Sequence, residues 1–133
     1  ASFGLPEARV GRLPLDGGML LLQRQIPHRH AMGMLYTGRR VKAPEALAMG
    51  LVNEVVPRAE LDAAVQRWVD QLLACAPLSL RAIKEVVRET AQMSPPRAHG
   101  LRLPALVAAL ASEDSQEGVR AFQQKRAPVW QGR

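Results

Sequence analysis

At 133 residues, with 47 % hydrophobic and 23 % charged residues, the chain has one domain's length and the composition of a globular protein rather than a disordered one. Its apolar runs fall far short of the roughly 20 residues that span a bilayer and no basic-then-apolar signal precedes Ala1, so no membrane partner and a cytoplasmic or organelle-matrix location are expected. The net charge of +6 suits anionic partners, but aromatics are only 4 % of the chain and there is neither a run of five basic residues nor a zinc-finger spacing, so nucleic acid is not expected among them.

The opening ASFGLPE reads as a strand edge running into Pro6-Glu7, and it leads to the expectation that the chain starts inside a larger fold. Gly17 and Gly18 release the backbone into MLLLQRQ, a short apolar helix, and Pro27 sits where a first helical turn tolerates it before HRHAMGMLY. TGRRVKA reads as a loop, PEALAMG as a short helix, and LVNEVVP as a strand ended by Pro57. From Glu60, Leu61, Val65, Trp68, Val69, Leu72 and Leu73 recur at helical spacing, which predicts one buried stripe. Pro77 starts a further helix with Leu80, Ile83 and Val87 inward. Pro95-Pro96 opens a third long helix whose LRLPALVAALA core is apolar nearly all round, with Pro104 as a candidate kink; burial on all sides would require a neighbouring subunit. The last helix is announced by the D-x-x-E capping box Asp114 to Glu117 and runs to Pro128. The strands are too few for a sheet of their own. The predicted fold is thus mainly α with a few short strands.

The residues that could carry chemistry are few. Glu7, held at a strand end by the fixed φ of Pro6, is either a solvated loop glutamate or a carboxylate aimed into a cleft. Asp16 reads as an N-cap before a catalytic aspartate, because it can accept from free N–H groups of the following helix. His28 and His30 are two apart, about 200° around a helix, so no shared metal ion is expected. The single cysteine, Cys75, lies in apolar LLACAP and reads as a buried, inert thiol. Phe122 and Lys125 are three apart on the last helix and either present an aromatic face beside a cation, suited to adenine and a phosphate, or are a core Phe and a solvated Lys.

In order, FGLPEARVGRLP, GG, LYTGRRVKAPEALAMGLVNEVVP, APLSLRAIKEVV and SEDSQEGVRAFQQKRAPVWQGR resemble the second half of the crotonase superfamily, the enoyl-CoA hydratases and isomerases, with a tail most similar to carnitinyl-CoA dehydratase-like members. The resemblance implies the C-terminal part of a ββα spiral fold over residues 1–57, followed by a helical trimerisation region over 58–133. It implies an acyl-CoA substrate that carries its own coenzyme A, no separate cofactor and no metal, and self-association as a homotrimer or a dimer of trimers. Glu7 matches the Glu of the family's G-x-P-E string, one of two catalytic glutamates; the other, and the oxyanion hole, would precede Ala1. Phe122 and Lys125 match an AF..K string placed against the CoA nucleotide of an adjacent subunit. Where typical hydratases read P-G-A-G-G-T-Q this chain has PLDGGML, so the resemblance leaves the acyl group open; some isomerases and dehalogenases place a carboxylate at the position of Leu15, one before Asp16.

Overall fold

The computed structural model describes residues 1–133, which divide into two compact units, Ala1–Leu61 and Asp62–Arg133.

In the first unit β1 (Ser2–Phe3) pairs antiparallel with β2 (Val41–Lys42), Phe3 opposite Val41. A 3-10 turn at Pro6–Val10 follows β1, then α1 (Gly18–Gln25) and α2 (His28–Thr37), both starting where the glycine pair and Pro27 predict. β2 lies inside the stretch read as a loop and runs straight into α3 (Ala43–Ala48), with Arg39 Nη2 donating to Glu45 Oε1 at 2.6 Å across the junction. Leu22, Ile26, Ala31, Met34, Val41, Ala46 and Met49 form the core, with Phe3, Leu5, Leu51 and Val52 packed against it. Each large side chain buried there contributes about 1.5–3 kcal/mol over exposure.

LVNEVVP is not a strand. Gly50 adopts a left-handed φ of 77°, Leu51 N donates back to Ala46 O at 2.8 Å, and residues 51–57 run irregularly. The alternation signalled half-burial, which Leu51, Val52 and Val56 have, but a strand also needs a ladder, and the ladder here is β1 with β2.

The second unit is helical: α4 (Leu61–Leu73, its first residue assigned to the first unit), α5 (Pro77–Thr90), α6 (Pro95–His99), α7 (Pro104–Leu110) and α8 (Glu113–Gln123). The single long helix expected from Pro95 is two. The chain leaves helix at Gly100, and Pro104 takes the first position of α7, where its missing N–H costs nothing, rather than kinking a continuous helix. α5 packs on α7, and Glu85 Oε2 accepts from Ala105 N at 2.9 Å, serving a free donor in the first turn of α7.

The helical periodicity of α4 is real, but its apolar stripe is not buried within the chain. Leu61, Val65, Trp68, Val69, Leu72 and Leu73 are 36–71 % exposed, while Ala64 faces inward. On α5, Ile83 and Val87 are likewise exposed and Ala82 is buried; on α7, Val107 and Leu110 are exposed and Ala109 is buried. Periodicity identifies a face, not what covers it. Cys75 also departs from expectation: it is exposed just past the end of α4, its Sγ donating to Gln71 O at 3.4 Å.

Candidate functional site

Glu7 sits at the second position of the 3-10 turn, behind Pro6. That turn is fixed to the end of α2, because Arg9 Nε donates to Thr37 O at 2.7 Å and Arg12 N closes back on Glu7 O at 2.9 Å. Gly38 permits the approach. Its φ of 57° is one that L side chains rarely adopt, and a Cβ there would lie 3.0 Å from Arg9 Cγ and 3.1 Å from Pro6 Cα. The carboxyl so held is half-buried, and its Oε2 is the one buried side-chain polar atom with no hydrogen-bond partner in the chain. An orphaned carboxylate oxygen away from water costs about 1–3 kcal/mol and calls for an explanation. The solvated-loop reading of Glu7 is therefore set aside.

Asp16 is exposed and does not cap α1; Gly17, at φ 92°, takes the N-cap position and no side chain bonds there. With φ positive at that position only glycine is comfortable, which removes Asp16 from capping reach. His28 and His30 lie exposed in the first turn of α2. No group of three or more His, Cys, Asp and Glu side chains is arranged to hold a metal ion.

On the second unit, α8 carries Phe122 in its last turn, 86 % exposed, which overturns the core reading of that side chain. Lys125 does not share a helical face with it. The helix ends at Gln123 with Gln124 as C-cap, and Lys125 follows in a left-handed conformation, its N donating to Phe122 O at 3.2 Å. Both side chains reach solvent within a few residues of each other.

Behind them lies a network that the sequence reading missed. α8 is capped by Ser112, whose Oγ accepts from Ser115 N at 3.0 Å, not by Asp114. Asp114 is instead buried, with Oδ1 accepting from Gln131 N at 2.7 Å and Oδ2 from Gly132 N at 2.8 Å, while its own N donates to Arg133 O. One turn on, Glu117 receives the Arg126 guanidinium through both oxygens, at 2.5 and 2.9 Å, and Val129 N at 3.0 Å. Trp130 Nε1 reaches Ala74 O beyond the end of α4 at 2.9 Å. These two carboxylates with Glu113, Arg120, Arg126, Val129 and Gln131 line an open cavity of about 380 Å³. A signal was present: the carboxylates are three apart, one helical face, and Pro128 turns the following chain back toward them.

The Arg126 guanidinium, helped by Val129 N–H and by the charge of Arg120, holds the Glu117 carboxyl down from 4.5 to about 2. A carboxyl depressed in the folded state stabilises it fully above its unfolded value and ceases to as it protonates. The stability difference between the parent and Glu117→Gln is thus expected to be constant above about pH 5 and to shrink as pH falls from 4.5 toward 2. Thermal unfolding of both proteins across that range checks this; a pH-independent difference would mean that the carboxylate charge is not engaged.

The whole chain, residues 1–133, matches the enoyl-CoA hydratase/isomerase family, and it belongs to that family. It is 44 % identical to a carnitinyl-CoA dehydratase of Salmonella typhi, over all of this chain and 52 % of that protein. Solved structures agree. An enoyl-CoA hydratase from Mycobacterium tuberculosis H37Rv superposes with a TM-score of 0.91 at 34 % identity, covering all of this chain and 53 % of that one. An enoyl-CoA hydratase from Bacillus anthracis gives 0.93 at 32 %, covering all of this chain and 52 % of that one. The chain therefore spans about half the length of the relatives it matches. The expected C-terminal placement is not borne out by these matches.

Proposed function

We propose that this chain supplies part of the active site of an enzyme that adds water to, or shifts the double bond of, a 2-enoyl-CoA thioester. The observation that carries the reading is Glu7, the carboxylate that the resemblance implies is catalytic and whose buried Oε2 has no partner in the chain. In hydration the water oxygen bonds to C3 of the enoyl group as a carboxylate takes its proton, and charge moves onto the thioester oxygen. Two N–H donors preset for that enolate are worth about 3–4 kcal/mol each. A second carboxylate assists delivery of a proton to C2. Those donors and the second carboxylate would come from outside this chain, which spans about half the length of its relatives. The substrate brings its own coenzyme A and the chemistry asks for no metal.

Phe122 and Lys125 would hold the nucleotide end of that coenzyme A, the ring against Phe122 and a phosphate at Lys125. Stacking on an aromatic side chain is worth about 1–3 kcal/mol, so Phe122→Ala is expected to weaken CoA-ester binding by roughly 5- to 150-fold in an extended protein, the chain joined to the half its relatives add. Lys125→Ala should flatten the dependence of affinity on salt, since a screened charge contact is lost, while Phe122→Ala leaves that slope unchanged. A pantetheine thioester lacking the nucleotide should be indifferent to both. Unchanged affinity for the full CoA ester in both variants would refute the grip.

The exposed stripe of α4 favours a companion reading, in which residues 58–133 also serve as an oligomerisation region, as a trimer or dimer of trimers. A row of large apolar side chains is what soluble monomers avoid displaying. Sedimentation of the 133-residue chain at tens of micromolar is expected to show association, and Trp68→Glu on the stripe to reduce it. A clean monomer would remove the companion reading. By itself such a piece would bind and assemble without turnover, in a soluble compartment such as the cytoplasm.

A further inference from the structure

We propose that Glu117 is a positioning residue for the Lys125 ammonium, holding the chain after α8 in the shape that delivers this cation to an anionic ligand; the proposal rests on the reading of Phe122 and Lys125 as a nucleotide grip.

Lys125 is the only non-glycine residue of the chain with positive φ, at 52°. Glycine is the usual occupant of this conformation just past a helix end, because an L side chain pushes Cβ against the neighbouring carbonyl oxygen. A lysine persists there only where its surroundings over-determine the backbone. Here they do so from both sides. Arg126 N donates to Ala121 O at 3.1 Å, Arg126 Nε donates to the Gln124 side chain at 2.7 Å, and Nη1 donates to Ala127 O at 3.0 Å. One guanidinium thus ties the residues flanking Lys125, and its two Nη groups are fixed in turn by Glu117, which also accepts from Val129 N. Lys125 itself is exposed and makes no ion pair within the chain. The fold therefore accepts an unfavourable backbone conformation at the one position where the resemblance places a phosphate-binding cation.

Simple electrostatics and positioning give opposite signs for one substitution. Deleting the Glu117 carboxylate leaves Arg120, Lys125 and Arg126 less compensated, which by charge alone would strengthen binding of an anion. If Glu117 acts by positioning, the same deletion weakens it.

Calorimetric titration of coenzyme A into the extended protein decides between them. Lys125→Ala is expected to weaken binding about tenfold, the scale of one hydrogen bond to a charged group, and Glu117→Ala to weaken it several-fold, with little further loss when the two are combined. Glu117→Gln, which removes the charge but keeps one acceptor oxygen for Arg126 and Val129 N, should bind more weakly than the parent and more tightly than Glu117→Ala. Lys125→Gly should raise the melting temperature, by relieving the left-handed residue, while binding as poorly as Lys125→Ala. If Lys125→Ala weakens binding but Glu117→Ala leaves it unchanged or tightens it, the positioning role is overturned and the grip stands. If the parent does not bind, or Lys125→Ala binds like the parent, the grip falls and the positioning role with it. Should circular dichroism show Glu117→Ala unfolded, Glu117→Gln decides: weaker binding than the parent in a folded protein supports the proposal, and equal or tighter binding overturns it.

Discussion

Glu7→Gln in the extended protein is expected to lower the turnover of a 2-enoyl-CoA by about 10²- to 10⁴-fold, the usual contribution of a positioned acid or base, while leaving the folded state no less stable. The two halves of this result have one cause. Glu7 is half-buried, with an oxygen that is both shielded from water and unpartnered, and such an atom destabilises the molecule that carries it. The amide keeps the size and shape of the side chain and removes the charge. Activity should therefore fall while the melting temperature holds or rises. A structural glutamate would behave in the opposite way, losing stability with the charge and keeping turnover in the fraction that remains folded. Denaturation curves and turnover measured on the same preparation separate the cases, and a Glu7→Gln protein with turnover within tenfold of the parent would remove Glu7 from the chemistry.

Asp114→Ala should destabilise the second unit by about 3 kcal/mol, because two backbone N–H groups of the tail, Gln131 and Gly132, each donate to a buried charged acceptor, and such bonds are worth roughly 1.5–3 kcal/mol each. The loss is not the full sum, since the released tail exchanges these bonds for water. Asp114→Asn should cost nearly as much as the alanine. One of its two positions becomes an NH₂ donor facing an N–H donor, so one bond is lost and a repulsion takes its place. Urea unfolding followed by far-ultraviolet circular dichroism measures both. Destabilisation below about 0.5 kcal/mol, the ordinary scatter of surface substitutions, would mean that the tail is not held by this carboxylate in solution.

What could be read from the sequence follows from how local each signal is. Gly17-Gly18, Pro27 and the proline of PEALAMG act on the backbone within a residue or two, and α1, α2 and α3 begin where they indicate. Pro104 reads as a kink in one long helix, but its ring fits a first turn equally well, and the break at Gly100, four residues earlier, puts it there. The strand misassigned to LVNEVVP needed knowledge of a distant partner, and β2 was missed for the same reason: a two-residue strand exists only by virtue of Ser2 and Phe3 opposite it. The α4 stripe shows the limit of periodicity most directly, since Leu61 to Leu73 fit the helical spacing and still face outward.

Of the site, Glu7 could be named from its place behind Pro6, but the orphaned oxygen that distinguishes it depends on side chains from the rest of the fold. For Phe122 local sequence leaves a core and a surface reading open, and its exposure sets aside the core one. The left-handed Lys125 was invisible, because nothing in QQKRAP signals positive φ at a lysine. Asp114 and Glu117 were read as a capping pair since D-x-x-E serves that purpose in many helices; here Ser112, two residues earlier, takes the cap and frees both carboxylates to grip the returning tail.

Assignment to acyl-CoA chemistry is tested most directly by mixing crotonyl-CoA with the extended protein and following the conjugated enoyl thioester by absorbance and the product by mass. The expected result is a loss of conjugated absorbance matched by a CoA ester heavier by one water, slowed by Glu7→Gln and poorly supported by the pantetheine thioester. Recovery of unchanged crotonyl-CoA, or its conversion to free coenzyme A by thioester hydrolysis at a rate that ignores Glu7, would contradict the account.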